Sequence, residues 1–305
     1  MTPSYGAAAS LALAPIPRKT ALVVESDPGI KTMLHRVLAE DGWSVERAVD
    51  NGTALSLAKA RDFDIIVTGQ HTSVLEDVQL LRKIRSCRPH VRLIILVSEW
   101  TPGDVIAAMR AGAFSYFRAP FNPSSLKDMV RAAMDEPTWD DGIEVLSGTP
   151  EWSRLLARCD RLTADRLVQF LRSFGDPAIP EAERDDIITA FHEILLNAME
   201  HGANFDPSQY VELAFIRSKR AVICRVKDPG QGFPLEELRH AAVNSSPPNL
   251  FDHIAIREAK GLRPGGFGIM LAKKLVDELI YNEQGNDVLL VKYIGSPHRD
   301  QQSPA

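Results

Sequence analysis

Three short stretches, met in a fixed order, constrain this chain more than any other feature. The first is Phe191–Gly202, FHEILLNAMEHG, in the second half of a helical pattern. Ile187, Ile188, Phe191, Ile194, Leu195 and Ala198 mark one apolar face at helical spacing. Glu193 and Asn197 are four apart, so they stand one turn above each other. A carboxamide oxygen placed there suits Mg²⁺, which takes oxygen ligands and keeps several waters. A carboxylate beside it suits removal of a proton from an attacking hydroxyl or water. Alone, the pair is an ordinary solvated pair on an amphipathic helix. The second stretch is Asp228-Pro-Gly230-Gln-Gly232-Phe233, directly after the strand-like AVICRVK. The third is Gly265-Gly266-Phe267-Gly268-Ile269-Met270-Leu271, which opens a helix. Glycines let backbone approach a ligand closely, and a helix N-terminus offers unpaired N–H groups to phosphate. An Asp just after a strand can accept from an exocyclic amine such as that of adenine. Each glycine cluster is weak evidence; the ordered set E-x-x-x-N, D-x-G-x-G, G-x-G is specific.

On those residues the chain resembles the GHKL ATPase superfamily of gyrases, histidine kinases and anti-sigma-factor serine kinases, across roughly residues 164–294. Glu193 and Asn197 match its N box, Asp228, Gly230 and Gly232 its G1 box, and Gly266 and Gly268 its G2 box. The resemblance implies the Bergerat ATP-binding α/β sandwich, with ATP and Mg²⁺ as ligands. It implies Glu193 as general base, Asn197 as the Mg²⁺ ligand and Asp228 as the adenine reader. Gly230 and Gly232 shape the adenine loop, and Gly265, Gly266 and Gly268 the phosphate side. Arg263 stands just before that loop, within reach of a γ-phosphate or simply solvated. His201, one turn after Asn197, borders the triphosphate or caps the helix. Leu235–Pro264 corresponds to the family's ATP lid, with a helix expected over FDHIAIREAK. The wording EILLNAMEHG and the lead into DPGQGF look most like the anti-sigma serine kinases. That implies a serine of a STAS-like anti-sigma antagonist as substrate, and a sigma factor or another regulator as second partner.

The first half of the chain alternates strand and helix from Lys19 to about residue 135. TALVVE, WSVERAV, DIIVTG, VRLIILVS and SYFRAPF are short apolar runs, each followed by an amphipathic helix. Five such units give a doubly wound, flavodoxin-like α/β domain. This order, with VVESDP and AGAFSYFRAPF, resembles the response-regulator receiver domain. The resemblance also shows its chemistry dismantled. Glu25 remains of the metal-binding acids, but Ser26 follows it. Gly69 stands where the phosphoacceptor Asp belongs, Ala119 stands where the pairing Lys belongs, and Ser98 keeps the switch position. Asp27 is a remaining candidate for a cation. A glycine has no nucleophile, so the domain is expected to act without being phosphorylated.

Residues 1–18 and 296–305 read as tails, 136–149 as a polar linker, and 150–295 as the ATPase domain with a helical segment at its start. Trp152, Leu155, Leu156, Cys159, Leu162, Leu167, Phe170, Leu171 and Phe174 recur near helical spacing from Pro150, predicting one bent helix or two. That stripe either packs on its own ATPase core or forms a homodimer contact. A net charge of −5 gives no sign of nucleic-acid binding, three scattered cysteines fit a reducing cytoplasm, and no run is long enough to span a membrane. Two functions share the same ATP site: an anti-sigma-type protein-serine kinase, and a nucleotide-dependent switch that sequesters a partner without transfer. A histidine-kinase reading is weaker, because no helical hairpin bearing a His followed by an acid precedes the N box.

Overall fold

The computed structural model describes residues 19–69, 71–134, 140–174, 179–233 and 267–294. The apolar runs of the first half become β1 (Thr20–Val24), β2 (Ser44–Ala48), β3 (Ile65–Thr68), β4 (Arg92–Val97) and β5 (Ser115–Arg118). They form one parallel sheet in the order β2-β1-β3-β4-β5. Every residue of β3 and β4 is buried, as expected for parallel strands covered on both faces. The covering helices are α1 (Pro28–Glu40), α2 (Asn51–Ala60), α3 (Val74–Arg85), α4 (Pro102–Arg110) and α5 (Pro123–Ala132). Their starts are written locally. Ser73 and Thr101 complete capping boxes with Glu76 and Asp104, and Asp27, Asp50 and Asn122 cap the other three helices.

The second half is built on a six-stranded antiparallel-paired sheet in the order β10-β11-β9-β8-β7-β6. Its strands are β6 (Ile143–Thr149), β7 (Trp152–Arg158), β8 (Tyr210–Arg217), β9 (Ala221–Lys227), β10 (Glu278–Tyr281) and β11 (Asp287–Tyr293). Helices α6 (Arg161–Phe174), α7 (Glu181–Asn197) and α8 (Phe267–Leu275) accompany it.

Two expectations fail at the junction. Half of the expected linker is strand β6, and the expected helix from Pro150 is strand β7, the two pairing as a hairpin from Ile143↔Ala157 to Thr149↔Trp152. The reason is a competing period. Ser153, Leu155 and Ala157 are buried while Trp152 and Arg154 are exposed, which is the alternation of a strand. The i, i+3, i+4 spacing of Trp152, Leu155 and Leu156 imitates a helix over the same residues. Only from Arg161 does the stripe become helical. The helix expected after Gly265 is α8, which ends at Leu275, and Glu278–Tyr281 then joins the sheet beside β11.

The apolar stripe of α6 is covered by the chain itself. Leu167 and Phe170 are buried, and α6 lies against β5 and α4 on one side and α7 on the other. Of the two roles open to the stripe, Leu167 and Phe170 take the one of packing within the chain. Strand β5 ends the parallel sheet, and α6 lies along it. Arg166 bonds to the two residues that lead into the strand. Its Nε donates to the Phe114 carbonyl at 2.7 Å, and its Nη2 donates to the Ala113 carbonyl at 3.1 Å and to Asp141 Oδ1 at 3.0 Å. Gln169 Nε2 donates to the Tyr116 carbonyl at 3.4 Å. Arg166 is 1 % exposed and its guanidinium lies 5.1 Å from the Phe114 ring centre. Beside it, Arg110 donates to the Gly148 carbonyl of β6. One continuous apolar cluster therefore runs through both halves. Among the described residues, the first domain meets the second through α6 and the β6–β7 hairpin.

Candidate nucleotide site and the altered receiver site

Helix α7 carries Glu193 and Asn197 and ends in one π turn, Ala198–Gly202. Such a turn inserts a residue into the helical ladder and is frequent at functional sites. Here it brings Gly202 against Asp228, since a Cβ on Gly202 would lie 2.4 Å from Asp228 Oδ1. Only glycine fits that approach.

Asp228 follows β9 as expected. Its Oδ1 accepts from the Gly230 amide at 2.8 Å, and its own amide donates to the Asn286 carbonyl at 2.9 Å. The 228–232 loop is held by the turn between β10 and β11. Asn286 Nδ2 donates to the Gly230 carbonyl at 3.0 Å, Gln284 Nε2 donates to the Gln231 carbonyl at 3.3 Å, and the Phe233 ring meets Tyr281 edge-on. Gly232 has a φ of +75°, and a Cβ there would lie 2.0 Å from the Gln284 carbonyl oxygen. Burial pushes the Asp228 carboxyl above the usual aspartate value, opposed by the Gly230 amide.

The start of α8 closes the arrangement. A Cβ on Gly268 would lie 2.6 Å from Glu193 Oε2 and 3.1 Å from Asn197 Nδ2. The glycine-rich helix start and the Glu193–Asn197 face are thus in direct contact. Asn197 Nδ2 is buried with no hydrogen-bond partner among the described residues, a costly state unless a ligand supplies one. These residues fit a Mg²⁺-nucleotide: an Asn197 amide N–H awaiting an acceptor such as a phosphate oxygen, a carboxylate beside it, and a helix start stripped of side chain. No group of three or more His, Cys, Asp or Glu side chains forms a metal cluster among the described residues. Mg²⁺ bound mainly through water and phosphate oxygen needs none.

The site thus gathers Glu193, Asn197, Asp228, Gly230, Gly232 and Gly268. Arg263, Gly265, Gly266 and the lid segment Leu235–Pro264, with its expected helix, lie outside the described residues. His201 is exposed at the π turn. Sequence reasoning passed over Gly202, Gln284 and Asn286. The Gly that ends FHEILLNAMEHG was the available signal for the first. The turn residues carry none, because their role is to support a loop fifty residues earlier.

In the first domain, two residues of the altered site, Glu25 and Gly69, meet. Glu25 is 1 % exposed; its Oε1 accepts from the Asp27 amide at 2.8 Å and pairs with His71 Nδ1 at 2.9 Å. A Cβ on Gly69 would lie 2.0 Å from Glu25 Oε2. The remaining acid has folded into the space an acceptor side chain would fill. One oxygen of Asp27 is committed to capping α1: its Oδ1 accepts from the Gly29 and Ile30 amides, each at 2.8 Å. Those bonds, Ile30 foremost, hold its carboxyl below the usual range. Ser26 and Ser98 are exposed. Ala119 precedes Pro120 through a cis peptide and presents only a methyl group. Beneath this site Asp77 is fully buried, accepting from Asn51 Nδ2 and Thr72 Oγ1 at 2.9 Å each. Burial pushes its carboxyl up to about 6.

The family description "Histidine kinase-like ATPase domain" matches residues 156–292, and "Response regulator receiver domain" matches residues 21–131. The chain is 31% identical to the response regulator MprA of Mycolicibacterium vanbaalenii, over 40% of this chain and 52% of that protein. It is 26% identical to the transcriptional regulatory protein GlrR of Escherichia coli, over 49% of this chain and 34% of that protein. The chain spans about half the length, or less, of these curated relatives. A solved CheY-like receiver domain protein from Methanospirillum hungatei aligns at 24% identity with a TM-score of 0.37, covering 39% of this chain and 94% of that chain.

Proposed function

We infer that this chain, a receiver domain joined to a histidine-kinase-like ATPase domain, is a signalling protein that uses ATP to phosphorylate a serine of a partner, in the manner of anti-sigma-factor kinases. The observation that supports it most is the meeting of three sequence-distant groups. Gly268 packs on Glu193 and Asn197, and Asp228 is held one π turn away against Gly202.

Bound MgATP would supply the phosphoryl group, and ADP would leave. Within the chain, the free Asp228 carboxylate oxygen would accept from the exocyclic amine of adenine. The side chain of Asn197 would present its oxygen to Mg²⁺. Glu193 would take the proton from the incoming serine hydroxyl as its oxygen bonds to phosphorus, a role that needs reach and an ionised carboxylate. Gly268, without a side chain, keeps that carboxylate accessible from the phosphate side. A STAS-like anti-sigma antagonist is the proposed substrate, and a sigma factor or similar regulator the proposed second partner. The first domain would influence this chemistry as a fixed binding module rather than as a phosphoryl acceptor, because Gly69 and Ala119 leave neither nucleophile nor pairing cation.

The test is to incubate the full chain with γ-labelled ATP, Mg²⁺ and a co-encoded antagonist protein. Label on a partner serine, lost in Glu193→Gln while ATP binding persists, is the expected result. ATP binding without any transfer would favour the alternative, a nucleotide-dependent switch that sequesters its partner. Asp228→Asn is expected to weaken ATP at least tenfold, about 1.4 kcal/mol or more; unchanged calorimetric affinity would remove it from the site. Among the described residues, no helix is long and apolar enough to cross a membrane.

A further inference from the structure

A second cavity, distinct from the Glu193–Asp228 site, lies where the two domains meet. It has a volume of about 570 Å³ and is walled by the loop after β5 on one side and by α6 and α7 on the other. Cavities of this size at domain junctions are the usual place for small ligands.

Its charged lining is unbalanced. Arg172 and Asp185 pair with each other at 3.2 Å. Arg118 and Arg184 also border the cavity, both half-buried, and neither has a carboxylate partner among the described residues. Glu181, at the exposed first turn of α7, is the one acid on the lining without a cation partner among the described residues. The Trp100 ring centre lies 5.5 Å from the Arg118 guanidinium carbon, a cation–π contact that restrains this side chain. Phe121, packed edge-on against Phe117, adds an aromatic wall. Two unpartnered guanidiniums suit a phosphate, which they bind through paired charge-assisted hydrogen bonds. An aromatic wall beside them suits a ring.

We propose that this interdomain cavity binds a small organic phosphate, with Arg118 and Arg184 on the phosphate and Phe121 against its organic part. Helix α7 borders the cavity with Glu181 and Asp185 and carries Glu193 and Asn197 further along, so the ligand would sit between the receiver domain and the N-box helix. That it communicates with an ATP site rests on the function proposed above; that it binds an organic phosphate does not.

The probe is uridine 5′-monophosphate, which has no exocyclic amine for Asp228, titrated calorimetrically into the full chain. The expected result is one site, at least tenfold weaker in Arg118→Met and in Arg184→Met and unchanged in Asp228→Asn. Glu181→Gln, which removes the opposing charge, should tighten it about threefold. Inorganic phosphate should compete, but more weakly. If either Met variant fails to fold, Arg118→Lys and Arg184→Lys keep the charge, lose the fork, and should still weaken the probe. Absence of uridine monophosphate binding overturns the proposal, as does binding of inorganic phosphate alone. So does binding abolished by Asp228→Asn and indifferent to both arginines, which would place the probe in the other site.

Discussion

Restoring an acid at residue 69 is the obvious way to revive the receiver chemistry, and the structure says that it will fail. A Cβ there falls 2.0 Å from Glu25 Oε2, 2.4 Å from Cδ and 2.9 Å from Cβ. Swinging the Glu25 terminus aside does not solve this, because its side chain is fully buried and tied to the Asp27 amide and to His71. Forcing extra atoms into such a space costs about 1–3 kcal/mol. Breaking a hydrogen bond to the buried carboxylate costs about 1.5–3 kcal/mol, and a second carboxylate beside the first disfavours ionisation of both. Gly69→Asp should therefore destabilise the chain by about 2.5–6 kcal/mol in urea denaturation at pH 7. It should also gain no hydroxylamine-labile phosphoryl group from acetyl phosphate and Mg²⁺. Adding Glu25→Ala should recover about 2 kcal/mol or more beyond additivity, the signature of a shared space. A Gly69→Asp chain as stable as the parent, or effects of the two substitutions that simply add, would refute the steric argument.

Three further outcomes are expected. The Asp77 carboxyl, raised from 3.8 to about 6 by burial, holds its proton more tightly folded than unfolded. Stability from this group is complete below pH 3.8 and is lost as pH rises through 6. Asp77→Asn keeps the Asn51 bond and can donate to Thr72, so it should flatten the fall in stability between about pH 4 and pH 6.5; denaturation across that range measures it. Gly268→Ala places a methyl group 2.6 Å from Glu193 Oε2 and should reduce ATP affinity at least tenfold by calorimetry with little change in melting temperature. Arg166→Met removes the guanidinium donor from the carbonyls of Ala113 and Phe114 and the paired cation from Asp141, which keeps only the Ile143 amide. It should cost about 3–5 kcal/mol and split one calorimetric transition into two.

The first domain was almost wholly legible because its signals are local. Buried parallel strands appear as continuous apolar runs, and helix starts are spelled by Asp27, Asp50, Ser73, Thr101 and Asn122. The Glu193–Asn197 pair and the Asp228 loop were legible for the same reason, since each sits within one element or one turn. The β6–β7 hairpin was not. Its residues satisfy a helical and a strand period together, and the choice is made by pairing with β8 across more than fifty residues. The π turn after Asn197 and the buttress from Gln284 and Asn286 were invisible in the same way, being set by what packs against them. So was Glu25 filling the space beside Gly69: the sequence shows a missing acid, not where the remaining one goes.

The cover that α6 places on β5 bears on how the protein can be made. The carbonyls of Phe114 and Ala113 wait for a guanidinium 52 and 53 residues later. A nascent chain leaving the ribosome therefore presents every strand of its first sheet while the last edge is still open. An unpaired edge of this kind invites pairing with a neighbouring chain. Protein truncated after α5 should consequently be prone to self-association, and a phosphorylatable receiver grafted in its place would lack the matching contacts. The two halves are better regarded as one inheritance unit than as interchangeable modules.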